Sequence, residues 1–371
     1  MERKDTILMS WILIVFGLFY FIPVHSDWFT ISIISGITLL SEYAKEHVLT
    51  CVIPALFIAG GISVLIKKDK ILKYLGSDAK KHISYVVASV SGAVLAVCSC
   101  TILPLFAGIR KRGAGLGPAV TFLFSGPAIN IAAVFLTMNV LGFKIGFARV
   151  ISAILLSIFV GLTMSFIFRE KTEKGNFIVH EDEKVKVSSK YITLFFVSMI
   201  GILVVNGISI SPTFKYGIMS LLAISVVFIT MFKFKKEVRK NWLEESWNFS
   251  KLILPLLFIG VFIAGFIMPL LPEELITNLV GQNNLLGNFT ASIFGAFMYF
   301  STLTEIPILQ ALISKGMHPG PALALLLAGP SLSLPNMLVI NSVLGVKKTS
   351  VFVLLVVIMA TISGIIFGNL F

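Results

Sequence analysis

Long apolar runs recur along almost the whole sequence, and they constrain the fold more than any other feature. An α-helix needs about 20 consecutive apolar residues to cross the hydrocarbon core of a bilayer. Only 13% of the 371 residues are charged, against about 25% in a soluble domain. We therefore expect an all-α polytopic membrane protein of about 10–11 apolar segments. The runs fall at residues 7–24, 47–66, 84–108, 116–141, 145–168, 191–209, 215–232, 252–271, 288–311, 319–344 and 349–370.

The basic residues predict the topology. Lys and Arg are concentrated in segments 67–83, 169–190 and 233–251, whereas segment 272–287 is acidic. Cytoplasmic loops are rich in Lys and Arg, so we expect the three basic segments and the N-terminus in the cytoplasm. We expect the linkers 169–190 and 233–251 to be flexible or to form short surface helices. The net charge of +12 is explained by topology, and no nucleic-acid partner is expected.

Three apolar runs separate the first two basic segments, and three full crossings would place those segments on opposite faces of the membrane. One run must therefore enter and leave on the same face, unless one loop departs from the positive-inside bias.

An internal repeat relates residues 98–144 to residues 301–347 at a constant offset of 203. Matching Gly and Pro positions fix backbone shape and coincide by chance far less often than Leu or Val. With one re-entrant segment in each copy, the two repeats are inverted, as in many transporters. The predicted division is an N-terminal transmembrane helix with an interfacial segment (1–46), repeat 1 (47–168), a linker with two transmembrane helices (169–251) and repeat 2 (252–371).

Each repeat contains two places where Pro, Gly and polar residues interrupt an apolar run. Broken backbone survives in hydrocarbon only inside protein or around a wet cavity, so we expect a substrate site there, between the repeats. The alternative is that the prolines only kink helices for packing. The predicted lining consists of Cys98, Ser99, Cys100, Thr101, Pro104, Ser125, Gly126, Pro127, Asn130, Thr304, Glu305, Pro307, Gly329, Pro330 and Asn336.

Glu305 is the only acidic side chain in the run 288–311. A charge at membrane depth is expensive and indicates function, so we predict that Glu305 carries a coupling proton or binds a cationic group. The alternative is a residue near a helix end that reaches water. Its equivalent in repeat 1 is Ile102.

Cys98 and Cys100 form a C-x-C sequence beside the first interruption. Thiols are soft ligands that suit soft metals and trivalent arsenic, but free cysteines also pack as small apolar residues. No His or third Cys stands nearby, so neither a resident metal nor a cofactor is predicted. The motifs G-x-x-x-x-G-K-[ST], H-E-x-x-H and G-x-S-x-G do not occur, so we expect a transporter rather than an enzyme.

Two blocks of this sequence resemble the ArsP-type predicted permeases. The first block holds Cys98–Leu105, Arg110–Ala114 and Ser125–Asn130, and the second holds Glu305–Pro307, Gly320–Ser331 and Leu334–Met337. The resemblance implies a permease of a bacterial or archaeal cytoplasmic membrane, and some members of the family export trivalent organoarsenicals. The main hypothesis is a secondary transporter with a small-molecule substrate and the lipid bilayer as its surroundings. The alternatives are a membrane thiol redox protein and an uptake permease for another solute, with or without a partner ATPase.

Overall fold

A computed structural model describes residues 9, 16, 20, 23, 26–66, 74–76, 79–94, 99–169, 188–207, 211–270, 279–298 and 305–371. Most of the predicted first transmembrane helix (7–24) lies outside the described residues, as do Cys98 and Thr304. The helices are α1 (Asp27–Tyr43), a π-helical segment (Ala44–Val52), α2 (Ile53–Leu65), α3 (Lys81–Val94), α4 (Ser99–Lys111), α5 (Leu116–Ala128), α6 (Ile131–Val140), α7 (Phe143–Ile167), α8 (Ser189–Gly207), α9 (Pro212–Phe232), α10 (Lys236–Ile267) with a 3-10 turn (Met268–Leu270), α11 (Leu285–Phe297), α12 (Glu305–Ser314), α13 (Pro319–Leu332), α14 (Leu334–Leu344) and α15 (Val346–Leu370).

The described helices confirm the all-α membrane fold. Within the described residues, six helices are long and apolar enough to cross a membrane, or eight if each of two bent pairs is one span. The axis bends by 45° between α5 and α6 and by 48° between α13 and α14. The apolar runs predicted over 116–141 and 319–344 are therefore each broken once, as expected for this fold.

In the described residues, the runs predicted over 84–108 and 288–311 each consist of two short helices, and we call each pair a hairpin. Helices α3 and α4 have 14 and 13 residues, so each is about 20 Å long and too short for a hydrocarbon core of about 30 Å. The N–H of Gly115, just after α4, donates to the carbonyl of Leu75, just before α3, at 2.7 Å. In the second half, the N–H of His318 donates to the carbonyl of Val280 at 3.1 Å. Each hairpin therefore returns to the face from which it entered.

The two halves have the same helix pattern and opposite orientation. Shifting α7 by the repeat offset reproduces the bounds of α15. The described glycines with positive φ also pair at this offset, Gly113 with Gly316 and Gly142 with Gly345. Lys144, at the start of α7, lies 4.9 Å from the ring centroid of Phe371, which follows the end of α15. Equivalent helices therefore run antiparallel, and the predicted inversion of the repeats is confirmed.

The segment 233–251 is not a flexible linker or a short surface helix, and that expectation is wrong. It belongs almost entirely to α10, a helix of 32 residues, because no Gly or Pro interrupts residues 236–251. Its apolar face is anchored by Trp242, which is 7% exposed and donates its indole N–H to the carbonyl of Phe57 at 2.8 Å. Lys240 and Glu244 form an i,i+4 ion pair at 3.7 Å on the exposed face.

The described residues of the three basic segments lie at one end of the molecule, as the parity argument requires. Lys111, at the end of α4, pairs with Glu245 near the start of α10. A cavity joins the starts of α3 and α5 to Arg169 after α7. We call this end of the molecule the basic face. At the N-terminal side, α1 contacts α10, with the Phe29 and Phe266 rings 6.0 Å apart; an interfacial position for residues 28–46 stays a prediction.

Candidate functional site

The second helices of the two hairpins begin inside the protein. Ser99 begins α4 and Glu305 begins α12, and both side chains are buried. Helix α4 contacts α14, and α12 contacts α6, so the second helix of each hairpin reaches the helix after the bend in the other repeat. The second helix of each hairpin therefore packs against the other repeat inside the protein.

Arg149 is fully buried on α7 and links the two helices of the first bent pair. Its Nε donates to the carbonyl oxygen of Ala128 at the end of α5, at 3.1 Å. Its Nη1 donates to the hydroxyl of Thr137 in α6, at 3.0 Å. The last carbonyls of a helix lack helical donors and carry partial negative charge. The guanidinium therefore stabilises the C-terminal end of α5 where the chain bends.

Glu305 faces Arg149 across the interface between the repeats. Its Oε2 lies 3.8 Å from Nη2 of Arg149, and the two side chains are 1% and 0% exposed. Within the described residues, neither carboxylate oxygen nor Nη2 has a hydrogen-bond partner. The two charges attract each other without a direct hydrogen bond. The alternative that Glu305 reaches water at a helix end is wrong.

The glycines of the two Gly-Pro sequences lie close to Glu305 and Ile102, in the first turns of α12 and α4. A Cβ atom added to Gly329 would lie 3.0 Å from Oε1 of Glu305, and one added to Gly126 would lie 2.7 Å from Cδ1 of Ile102. The same close approach therefore occurs in both repeats, with a carboxylate in one and an aliphatic side chain in the other. The repeat equivalent of Arg149 is Phe352, which is also buried.

Comparison with known proteins identifies the family of the chain. The model of a predicted permease family of the ArsP type matches residues 33–369. The chain belongs to this permease family. The permease is 46% identical to the UPF0718 protein MJ0584 of Methanocaldococcus jannaschii over 345 residues, which are 90% of the chain and 94% of that protein. It is 24% identical to the UPF0718 protein YraQ of Escherichia coli over 311 residues, 83% of the chain and 73% of that protein. No solved structure matches it significantly.

The helix boundaries lie in or directly after the predicted interruptions, although the prolines of the permease themselves lie inside helices. Pro104 lies inside α4, and Pro127 and Pro330 lie inside α5 and α13, shortly before their ends. Pro307 lies in the first turn of α12. A proline in a helix removes one N–H and frees the carbonyl four residues earlier. Tight burial keeps the flanking turns helical, and the chain bends only after Ile129 and at Ser333.

Several predicted lining residues have local structural partners in the permease. The hydroxyl of Ser125 donates to the carbonyl of Phe122 at 3.3 Å. Oδ1 of Asn130 accepts from the N–H of Ala133 at 3.4 Å and caps α6. The side chain of Asn336 donates to the carbonyl of Pro330 at 3.4 Å, while its Oδ1 is buried without a partner among the described residues. Ser99, Cys100 and Thr101 are buried at the start of α4.

Sequence analysis missed Arg149 and Thr137 of the first repeat and Ser331 and Ser333 at the second bend. Both serines are 2% exposed, and neither hydroxyl has a hydrogen-bond partner in the described part of the chain. A signal for Arg149 was present, since it is the only charged residue in the run 145–168 and such charges indicate function. Among the residues described, no three His, Cys, Asp or Glu side chains are grouped to hold a metal ion.

Proposed function

We propose that this permease is a secondary transporter that carries a small solute between its inverted repeats across a bacterial or archaeal cytoplasmic membrane, with the basic face in the cytoplasm. The observation that supports this most is the contact between Arg149 and Glu305, two buried charges 3.8 Å apart on opposite repeats. Buried charges are costly and persist in membrane proteins where they serve transport or stabilise one of two states.

In this proposal, Glu305 is the proton carrier. When its carboxylate is ionised, it attracts Arg149 and holds α12 against the first repeat. Two unit charges about 4 Å apart attract by on the order of 4 kcal/mol at an effective dielectric constant of about 20. A change of that size shifts a two-state equilibrium by about three orders of magnitude. Protonation of Glu305 therefore releases one repeat from the other, and rocking of the repeats gives alternating access.

The finer substrate proposal is export of a small thiol-seeking metalloid, such as a trivalent organoarsenical. It is supported by the buried thiol of Cys100 in the first turn of α4 and by the contact of α4 with α14 of the other repeat. In this arrangement a soft substrate held by Cys100 and Cys98 lies between the repeats, where its binding is coupled to their movement.

The test is Glu305→Gln in an efflux-deficient host grown on a panel of toxic solutes that includes trivalent methylarsenic. We expect the wild-type permease to confer resistance to at least one solute and Glu305→Gln to abolish it while membrane expression persists. Glu245→Gln is the matched control, because that carboxylate pairs with Lys111 at the basic face, and it should retain resistance. Full resistance with Glu305→Gln would remove Glu305 from the mechanism.

A further inference from the structure

A second polar region lies at the basic face, away from Arg149 and Glu305. It is a cavity of about 360 Å³ between the start of α3, the start of α5 and the end of α7. This volume lies within the range of small-molecule sites, about 300–1,000 Å³. Its rim carries two exposed cations, Lys81 and Arg169, and none of the described lining residues is acidic. The cavity therefore favours an anion.

The inner wall of the cavity presents hydrogen-bond donors. Ser84 is among the residues that line it, is 1% exposed, and has a buried hydroxyl with no partner among the described residues. Helix α5, which has 13 residues, begins at the cavity with Gly115 as N-cap and no side-chain cap. The first amides of a helix lack helical acceptors and carry partial positive charge, so the N–H groups of Leu116 and Gly117 are suited to bind an anion.

The equivalent place in repeat 2 is filled by the protein itself. The amide of Asn283 donates to the carbonyl of Ile365 at 3.2 Å and to Oδ1 of Asn369 at 2.9 Å, and it accepts from Asn288 at 2.9 Å. Nδ1 of His318 accepts the N–H of Gly320 at 3.2 Å and caps α13. This end of repeat 2 therefore supplies its own hydrogen-bond partners.

Repeat 1 lacks each of these partners at the equivalent positions. Gly115 replaces His318, Tyr85 replaces Asn288, and Lys80 and Lys81 replace Asn283 and Asn284. Three amides and a histidine cap are thus exchanged for two cations, a phenol and an uncapped helix. Repeat 2 shows that neutral side chains are sufficient to close this end of a hairpin. The open, basic arrangement in repeat 1 therefore needs a separate explanation.

We propose that this cavity binds a phosphate group, held by Lys81 and Arg169 at the rim and by the Ser84 hydroxyl and the first amides of α5 inside. Cations, amides and a hydroxyl converging on one place suit a tetrahedral oxyanion with several acceptor oxygens. The phosphate belongs either to the headgroup of an anionic phospholipid or to a soluble phosphate. Leu162 and Phe166, 42% and 71% exposed on the cavity wall, provide an apolar approach for acyl chains.

The experiment measures thermal unfolding of the full-length protein in nanodiscs. One arm replaces phosphatidylcholine with phosphatidylglycerol, and the other titrates inorganic phosphate into phosphatidylcholine nanodiscs. We expect the midpoint of the wild-type protein to rise by several degrees in one arm, which identifies a headgroup or soluble phosphate respectively. Lys81→Gln with Arg169→Gln should abolish the rise, whereas Lys235→Gln with Lys236→Gln, which removes the same charge elsewhere on the basic face, should keep it.

A further variant separates a built site from general attraction between charges. Gly115→His introduces the cap of the second repeat without adding a permanent charge, and the backbone accepts it because Gly115 (φ −58°, ψ 150°) and His318 (φ −72°, ψ 146°) have the same conformation. We expect Gly115→His to reduce the rise strongly. An absent rise in both arms of the wild-type protein, or an undiminished rise in both the Gly115→His and the Lys81/Arg169 variants, would overturn the phosphate site.

Discussion

Nη2 of Arg149 lies 3.8 Å from Oε2 of Glu305, and this contact joins the two inverted repeats inside the protein. The equivalent residues of the other halves are Phe352 and Ile102, both buried and apolar. One pair of positions, Arg149 and Glu305, is thus charged, and the pair related to it by the repeat is apolar. In the proposed mechanism, only the charged pair of positions responds to a proton.

The two charges should depend on each other for stability. Arg149→Phe or Glu305→Ile alone leaves one buried charge without its partner, which destabilises by about 3–5 kcal/mol. The double variant takes the residues that the repeats use at the equivalent positions, and it should return to within about 1 kcal/mol of the wild-type stability or exceed it. Thermal unfolding in detergent measures both, and transport should be absent from all three variants.

The control for this cycle is the pair of Lys111 and Glu245, whose side chains are 33% and 19% exposed. Because water screens this pair, the coupling between Lys111→Gln and Glu245→Gln should be below about 1 kcal/mol. A double variant of Arg149 and Glu305 that is as unstable as the sum of its single variants would show that the buried charges are not coupled.

Gly329 should be sensitive to a single added methyl group. Gly329→Ala places a Cβ atom 3.0 Å from Oε1 of Glu305, so the carboxylate must shift relative to Arg149. We expect transport to fall by about tenfold, since small displacements of a functional group have effects of this size. Gly126→Ala is the repeat-matched control, because its Cβ meets the side chain of Ile102, which carries no charge. Equal losses in both variants would indicate a packing effect alone.

Variants of Cys98 and Cys100 test whether the substrate is a soft, thiol-seeking species. If the substrate is a trivalent organoarsenical, Cys98→Ser and Cys100→Ser should each abolish resistance to trivalent methylarsenic. Cys51→Ser should retain it, because the thiol of Cys51 accepts from the amide of Asn206 at 3.1 Å on another helix pair. Unchanged resistance without Cys98 and Cys100 would dismiss them as ligands, and a shift between thiol and disulfide in trapping experiments would favour the redox alternative.

The antiparallel arrangement of α7 and α15 predicts which residues face which side of the membrane. In a variant without native cysteines, Lys144→Cys and Phe371→Cys should react with an impermeant maleimide in intact cells, because both lie opposite the basic face. Arg169→Cys should react only after the cells are permeabilised. Reaction of Lys144→Cys and Phe371→Cys from opposite sides of the membrane would contradict the inversion of the repeats.

Much of the scaffold was determined by the sequence. Apolar length predicts which segments enter the bilayer, because backbone groups must be satisfied within each helix there. Matched Gly and Pro positions predict the repeat, and the clustering of basic residues predicts a re-entrant segment by parity. Glu305 is singled out by its isolation in an apolar run, because an ionised group is expensive at that depth. Each of these signals comes from a short segment or from the order of features along the chain.

Only the tertiary structure decided what Glu305 meets. Arg149 is separated from it by 156 residues (305 − 149), and their contact depends on the inversion that brings α7 and α12 together at the end of α5. The prolines likewise predicted which segments are broken, but packing by neighbouring helices decides how far a turn stays helical around a missing N–H. Periodicity and composition describe one helix at a time, whereas a buried charge is stabilised by groups that other helices supply.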